Sequence, residues 1–290
     1  MKVAILTDSN SGISLEEVKQ LGVHVIYTPI IIEGETRYAE EGLTQEKFYE
    51  ALMSDKNITT SMPSPGDVMA KWDELLKDYD QVVYIPLSSG LSNSANVAIQ
   101  LSDEYDGKVQ VVDDHRISVT MRQSVMDAKW LADQGKDAKE IKEALEKNAY
   151  NSVIFLTVED LKYLKKGGRV TPAAAALGAV LNIKPVLTTV GGSFEAVDKV
   201  RGMKKSMTKV LDGAEDFMNK MLENYDISKI RVGAAGSFQT QEGADEWYAK
   251  VKERFTNVTD VYYDSLSLVV GVHTGPDAAG IGVSVILRDK

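Results

Sequence analysis

Hydroxyl side chains are concentrated just after apolar runs of the chain, where turns and helix starts are expected. The first run ends in Thr7-Asp8-Ser9-Asn10-Ser11, and a later one is followed by Leu87-Ser88-Ser89-Gly90-Leu91-Ser92. A third group, Thr59-Thr60-Ser61, precedes Pro63-Ser64-Pro65, whose prolines restrict the backbone. Hydroxyls beside the free amides of a helix N-terminus suit the capture of a carboxylate or phosphate oxygen. The sequence therefore predicts an anion-binding site, although each residue alone also fits an ordinary cap or turn.

Two arginines are candidates for the same site in an otherwise acidic chain. Arg169 follows Gly167-Gly168 and precedes Thr171-Pro172, which marks the expected start of a helix. We expect Arg169 to point into a crevice between two domains. Arg201 forms a positive cluster with Lys204-Lys205, which fits either an anionic partner or a solvated helix face.

One histidine has a sequence context that suggests a role in a site. His273 lies in Gly271-Val272-His273-Thr274-Gly275, which we interpret as a glycine-bounded turn after an apolar run. If His273 acted as a base for Ser92 or Ser89, the protein would be a serine hydrolase or acyltransferase acting on acyl substrates. The sequence assigns no base to either serine, so this enzyme remains the alternative to a binding protein.

Composition narrows the classes of protein that need be considered. The chain has 290 residues, no cysteine and three histidines, which removes thiol chemistry and makes a metal site improbable. The dinucleotide, phosphate-loop, nucleophile-elbow and zinc-protease motifs are absent from the sequence. A formal charge of −10 disfavours nucleic acid and anionic membrane surfaces, and the longest apolar run, at 173–181, is too short to span a bilayer. We expect a soluble cytoplasmic protein.

The apolar pattern predicts two α/β domains, at residues 1–150 and 151–290. In the first, short β-branched runs alternate with amphipathic helices, which indicates a parallel sheet in an α/β sandwich. In the second, Gly191-Gly192 separates two strand-like runs as in a tight hairpin, which indicates a mixed sheet. We also expect one strand at 23–32 and one helix at 173–181. Ligands of open α/β sheets bind beyond the carboxyl ends of the strands, where the hydroxyl groups lie.

The combined motifs resemble the DegV family of bacterial lipid-binding proteins, which includes the fatty-acid-binding subunits of fatty acid kinase. The resemblance covers the whole chain and rests on motifs at five places: Thr7-Asp8-Ser9, Thr60-Ser61-Met62-Pro63-Ser64, Ser88-Ser89-Gly90-Leu91-Ser92, Leu161-Lys162-Tyr163-Leu164-Lys165-Lys166-Gly167-Gly168-Arg169 and His273-Thr274-Gly275-Pro276. The chain departs from the family pattern at Asn93-Ser94 and at Asp113-Asp114-His115, which puts the head-group site and the acyl preference in question.

The resemblance implies a lipid carrier with its ligand between the two domains. Thr60 and Ser92 would bind the carboxyl group of one long-chain fatty acid such as palmitate, stearate or oleate, with His273 close by and no further cofactor. Its partner would be a kinase of the dihydroxyacetone-kinase-like type, which phosphorylates the acid to an acyl phosphate, so this chain would not be the enzyme. The remaining head-group or phosphate contacts implied by the resemblance are Ser61, Ser89, Arg169 and Arg201. We expect part of the tail wall to come from Phe155, Leu266 and the helix at 173–181.

Overall fold

The computed structural model describes residues 1–39, 42–54, 56–179 and 182–288. Its strands are β1 (Val3–Asp8), β2 (His24–Ile26), β3 (Ile30–Ile32), β4 (Glu35–Arg37), β5 (Ile58–Thr60), β6 (Gln81–Ile85), β7 (Val109–Val111), β8 (Ser152–Thr157), β9 (Ile183–Thr189), β10 (Glu195–Arg201), β11 (Ile230–Gly236), β12 (Val261–Ser265) and β13 (Ala279–Val285). Its helices are α1 (Leu15–Leu21), α2 (Gln45–Met53), α3 (Pro65–Leu75), α4 (Ser94–Ser102), α5 (Ser118–Asp133), α6 (Ala138–Lys147), α7 (Lys162–Gly167), α8 (Pro172–Ala175), α9 (Met203–Met221), α10 (Gln241–Arg254) and α11 (Leu268–Thr274).

The N-terminal part of the chain forms a parallel sheet in the order β2-β1-β6-β7. Its strands are apolar on both faces because helices cover both faces. On one face Val125 of α5 and Ile141 of α6 pack against the sheet, and on the other Val68 and Trp72 of α3 do so. This is the sandwich that the alternating pattern predicts.

The C-terminal part forms a mixed sheet in the order β10-β9-β8-β13-β11-β12. The predicted hairpin is confirmed, because β9 and β10 are antiparallel, but residues 190–194 join them in a longer loop than the tight turn expected at Gly191-Gly192. One face of the sheet packs on α9 and α10, with Trp247 donating its indole N–H to the Gly280 carbonyl at 3.0 Å. The opposite face, which carries Leu156 and Ala235, packs on residues of α5, α7 and α11.

A small antiparallel sheet in the order β4-β3-β5 was not expected from the sequence. The prediction of one strand at 23–32 is wrong, because β2 ends at Ile26 and β3 begins only at Ile30. Pro29 separates them, and the Thr28 amide donates to Ser9 Oγ at 3.0 Å instead of to a neighbouring strand. The small sheet packs on α2 and α11, so it carries Thr60 at the end of β5 towards the C-terminal part of the chain.

The expected helix at 173–181 is also wrong in its length. Helix α8 ends at Ala175 and is followed by a 3-10 turn at Ala176–Ala179, while residues 180 and 181 lie outside the described residues. The boundary near residue 150 stays a prediction. Helix α5 packs on both large sheets, with Val125 against the parallel sheet and Val119 against the mixed one. Within the described ranges every helix is too short or too polar to cross a membrane.

Candidate functional site

A cavity lies where the ends of β1, β5 and β6 meet α11 and the segment after α7. It encloses about 660 Å³ of space, part of it open to solvent. Its wall is lined by Asp8, Asn10, Thr28, Thr60, Ser61, Met62, Pro63, Leu87, Leu91, Ser92, Ser94, Ile117, Leu164, Arg169, Phe194, Val269, Val270, His273 and Thr274. The position beyond the carboxyl ends of β1 and β6 is the one where open α/β sheets bind ligands.

Thr60 and His273 form a hydrogen-bonded pair in this wall, with 3.0 Å between Thr60 Oγ1 and His273 Nε2. Burial, together with the positive charge of Arg169, lowers the pKa of His273 to about 4, so the ring is neutral at pH 7. Its Nδ1 is buried against Gly167 and has no hydrogen-bond partner in the described part of the chain. Because a buried N–H without an acceptor is costly, the ring carries its proton on Nε2 and donates it to Thr60. The Thr60 hydroxyl can then donate into the cavity.

His273 is not in a turn, as its glycine neighbours had suggested, but in the last turn of α11. The Ser267 side chain caps this helix, and Gly275, at φ +73°, ends it. The apolar residues before His273 therefore supply a helix face, which packs against the small sheet. This helix sets the direction in which the imidazole points.

Ser92 lies in a loop that several hydrogen bonds hold in place. The Ser92 amide donates to the Ser88 carbonyl at 3.0 Å, and Ser88 Oγ donates to the Gly191 carbonyl at 2.5 Å. Ser92 Oγ accepts from the Ser94 amide at 3.2 Å, which leaves its own proton free to donate into the cavity. Ser89 is not in the cavity wall, and its amide donates to Asp113 at 3.1 Å.

The two arginines take different places. Arg169 lines the cavity, and its Nε donates to the Leu91 carbonyl at 3.1 Å while Nη1 donates to the Gly167 carbonyl. Arg201 ends β10 at an exposed position and is not among the lining residues. Ser61 lines the cavity, so the structure brings Ser61, Arg169, Thr60, Ser92 and His273 together.

The wall also contains polar residues that were not named as ligand contacts from the sequence, among them Asp8, Asn10 and Thr28. Asp8, Asn10 and Thr28 are all buried, and Asn10 Nδ2 donates to Asp8 at 2.7 Å and to Thr28 at 3.3 Å. Burial raises the pKa of Asp8, although three hydrogen bonds donated to its carboxylate oppose this. The polar residues after β1 were a usable signal for Asp8 and Asn10. Thr28 carried none, because it lay inside an expected strand.

An apolar compartment adjoins the polar cavity and shares Ile117, Phe194, Val270 and Thr274 with it. It contains about 350 Å³ of space, part of it open to solvent, and its remaining lining residues are Ser118, Val119, Ile154, Leu156, Ala235, Leu266, Gly280 and Ile281. Leu266, which we expected in the tail wall, lines this compartment. Phe155 is not, because successive strand residues face opposite sides and Phe155 packs with the α9 side of the mixed sheet.

The arrangement lacks the contacts of a serine hydrolase in the described residues. The hydroxyl paired with His273 belongs to Thr60, and no hydrogen bond joins Ser92 to His273. No carboxylate accepts from His273 Nδ1, where a catalytic acid would hold the ring. What the site offers is two hydroxyl donors beside a neutral imidazole, with an apolar compartment next to them.

The chain matches known proteins over nearly its whole length. A family model described as "Uncharacterised protein, DegV family" matches residues 2–285. A DegV domain-containing protein of Clostridium acetobutylicum is 31% identical over 284 residues, which cover 97% of this chain and 98% of the relative. A solved structure is described as fatty acid binding of a DegV family protein from Thermus thermophilus. It is 27% identical with a TM-score of 0.86, and the match covers 99% of this chain and 100% of that protein. A structure of DegV, described as a fatty acid binding protein from Bacillus subtilis, is 26% identical with a TM-score of 0.84. That match covers 98% of this chain and 99% of the Bacillus protein.

Proposed function

The chain belongs to the DegV family, and we propose that it binds one long-chain fatty acid between its two large sheets. The observation that carries the proposal is the junction of a hydroxyl-lined cavity with an apolar compartment through shared wall residues. The two similar solved structures, described as fatty acid binders, support the same reading. In this proposal Thr60 and Ser92 donate hydrogen bonds to the carboxyl group, and His273 orients the Thr60 hydroxyl.

The apolar compartment suits the acyl tail. Burying about 14 methylenes at about 0.8 kcal/mol each gives on the order of 11 kcal/mol before association and ordering costs are subtracted. A buried acid group needs hydrogen-bond partners to avoid a penalty of several kcal/mol, and the hydroxyl pair supplies them. Palmitate, stearate and oleate are the acids that we propose as ligands.

We further propose that the chain is a carrier and that a partner kinase of the dihydroxyacetone-kinase-like type carries out the chemistry. A carboxylate oxygen of the ligand would attack the terminal phosphorus of ATP, giving an acyl phosphate and ADP. Ser61 and Arg169 lie in the cavity wall, in reach of a head group, whereas Ser89 and Arg201 lie outside it. We therefore propose Ser89 and Arg201 as contacts with the partner, and we propose that the reaction takes place in the cytoplasm.

Native mass spectrometry of gently purified protein tests the binding proposal. We expect one fatty acid per chain, identified by its mass after extraction. A folded, lipid-free preparation that also rejects added palmitate would contradict the proposal. A serine-directed phosphonate probe addresses the enzyme alternative, because covalent labelling of Ser92 or Ser89 is expected only of a hydrolase.

A further inference from the structure

We propose that the chain selects fatty acids that are unbranched next to the carboxyl group, and that four residues between the two spaces make this selection. The inference rests on the proposed fatty acid binding and specifies its substrate class. We call these residues the junction, because they line both the polar cavity and the apolar compartment: Ile117, Phe194, Val270 and Thr274. All four are buried, with between 2% and 8% of their surface exposed. A tail that runs from the hydroxyl groups into the apolar compartment has to pass between them.

The junction lies close to the proposed carboxyl site, so it faces the first carbons of the acyl chain. Val270 and Thr274 belong to α11, which also carries His273. Val270 and His273 are three residues apart on this helix and therefore occupy neighbouring positions on one face. One turn of an α-helix rises about 5.4 Å, which is the length of a few carbon–carbon bonds. With the carboxyl group at Thr60 and Ser92, the junction surrounds carbons near the carboxyl group and not the end of the tail.

The backbone on both sides of Ile117 is held in an uncommon conformation. His115 and Ser118 have φ angles of +58° and +54°, in the left-handed region that residues other than glycine seldom adopt. Between them, the buried side chain of Arg116 donates to a backbone carbonyl just after α6 at 2.7 Å, and the Arg116 carbonyl accepts from the Ser88 amide at 3.1 Å. Backbone strain of this kind persists only where surrounding contacts hold it. These contacts fix the place at which Ile117 enters the junction.

Phe194 and Val270 are also held by hydrogen bonds of their backbone. The Phe194 amide donates to the Arg169 carbonyl at 2.8 Å, and the Phe194 carbonyl accepts from the Thr171 amide at 2.9 Å. Val270 lies in the first turn of α11, where its amide donates to the capping side chain of Ser267 at 3.3 Å. Because protein interiors are close-packed, buried side chains on a fixed backbone have little room to move. The junction therefore resists widening.

A branch near the carboxyl group has to enter this packed region. Ile117, Phe194 and Val270 belong to one cluster of contacting apolar side chains. Forcing an additional methyl group into a well-packed core displaces side chains from their preferred positions, and we expect this to weaken binding about tenfold or more. An additional carbon at the far end of the tail lies beyond the junction and avoids this cost. The position of the extra carbon should therefore decide the affinity.

Competition between two isomeric acids tests the inference. One is 3-methylhexadecanoate, which carries its branch on the third carbon, and the other is straight-chain heptadecanoate. We expect the unsubstituted protein to bind the straight isomer about tenfold or more tightly. Ile117→Val removes one methyl group from the junction and should reduce this preference about threefold or more. Phe194→Leu removes part of a second side chain of the junction and should act in the same direction.

Ile154→Val is the matched control for Ile117→Val. Ile154 is also 8% exposed and belongs to the same apolar cluster, but it lines the apolar compartment and not the polar cavity. The same substitution there should leave the preference between the isomers unchanged. The readout is a ratio of two affinities in one protein, so a general loss of stability does not shift it.

The possible failures can be told apart. If the unsubstituted protein binds both isomers equally well, the inference is wrong and the proposed function stands. The same conclusion follows if neither Ile117→Val nor Phe194→Leu changes the preference, or if Ile154→Val reduces it by the same factor. If folded protein binds neither isomer and also rejects palmitate, the inference and the proposed function are both wrong.

Discussion

At the scale of single residues, the polar part of the cavity wall offers hydroxyl groups as hydrogen-bond donors. Thr60 and Ser92 come from different elements, and each has an oxygen that is already engaged, by His273 and by the Ser94 amide respectively. Because each oxygen already accepts a hydrogen bond, the hydroxyl proton is free to donate to another acceptor. Each of the two residues can therefore present a hydrogen-bond donor to the cavity.

The first prediction concerns these two donors. Replacing both, as Thr60→Ala with Ser92→Ala, should weaken palmitate binding by about 2 kcal/mol or more, because each removes a hydrogen bond to a buried carboxyl group. A competition assay with a fluorescent fatty acid measures the change. Thr59→Ala, at the exposed neighbouring position of β5, is the control and should bind normally. Undiminished binding by a well-folded double variant would rule out this assignment.

The second prediction follows from the lowered pKa of His273, about 4 in the folded protein against about 6.5 for a free histidine. Between these values the unfolded chain takes up a proton that the folded chain does not. The stability contributed by neutral His273 is therefore fully present above about pH 6.5 and is lost as the pH falls towards about 4, by up to about 1.4 kcal/mol per pH unit.

Urea unfolding of the unsubstituted protein and of His273→Gln at a series of pH values checks this prediction. The unsubstituted protein should lose stability more steeply than the variant as the pH is lowered through that range. Other buried groups titrate in both proteins and cancel in the comparison. Parallel stability curves would show that the ring does not resist protonation in the folded state.

Thr60, Ser92 and His273 could be proposed from the sequence because their motifs occur together in one family. The structure places all three in the wall of one cavity. The sequence did not single out Asn10, since a side chain after a strand fits a turn residue equally well. Its hydrogen bonds to Asp8 and Thr28 join residues whose proximity depends on the fold.

At the scale of elements, the β9–β10 hairpin contacts the loop that carries Ser92. Its tip lies against Gly90 and His115 so closely that no room remains for a Cβ at Gly191. Ser88 Oγ donates to the Gly191 carbonyl at 2.5 Å, and Phe194, three residues after the tip, lines the cavity. The hairpin therefore supports both the serine loop and part of the cavity wall.

The third prediction uses the two glycines of this tip. Gly191→Ala should destabilise the protein by about 2 kcal/mol or more, because Gly191 has φ +114° and its new Cβ would overlap His115. Gly192→Ala is a matched control, since nothing lies within 4 Å of the position that its Cβ would take. Thermal unfolding measures both. Equal melting temperatures for the two variants would contradict the contact.

The elements that the sequence predicted correctly were those whose pattern is local. The β9–β10 hairpin is one of these, because a glycine pair between two strand-like runs marks a reversal of the chain. The strand expected at 23–32 was wrong although Pro29 is a local signal against it, because proline cannot donate to a neighbouring strand. The turn expected at His273 was wrong because α11 is stabilised by packing on a sheet that is distant in sequence.

At the scale of the whole molecule, the apolar compartment is enclosed by parts of the chain that are far apart in sequence. Ile117 reaches it from just before α5 and Val119 from α5 itself, while Ala235 reaches it from β11 and Leu266 from the residue after β12. A ligand tail in this compartment would touch the mixed sheet and the first turn of α5. The length of tail that fits is then set by side chains from both elements.

The fourth prediction concerns this length. Ala235→Leu should shift the preferred acid to a chain shorter by about two to three methylenes, because the added carbons occupy compartment space, and each lost methylene costs about 0.8 kcal/mol of burial. Leu266→Ala should favour a longer chain by a similar amount. Competition among acids of graded length measures both shifts. If the two variants keep the same preference, the tail does not lie in this compartment.

The two large sheets are also joined by charged side chains that lie outside the cavity wall. Arg122 on α5 pairs with Glu17 on α1 and, at 3.3 Å, with Asp264 on β12. These ion pairs help to set how the two large sheets lie against each other, and this arrangement determines the shape of the cavity. A substitution of Arg122, Glu17 or Asp264 can therefore release a bound fatty acid without contacting it. A genetic screen for variants that do not retain lipid should therefore return many substitutions between the two large sheets. Assigning those residues to the cavity wall would misplace the binding site.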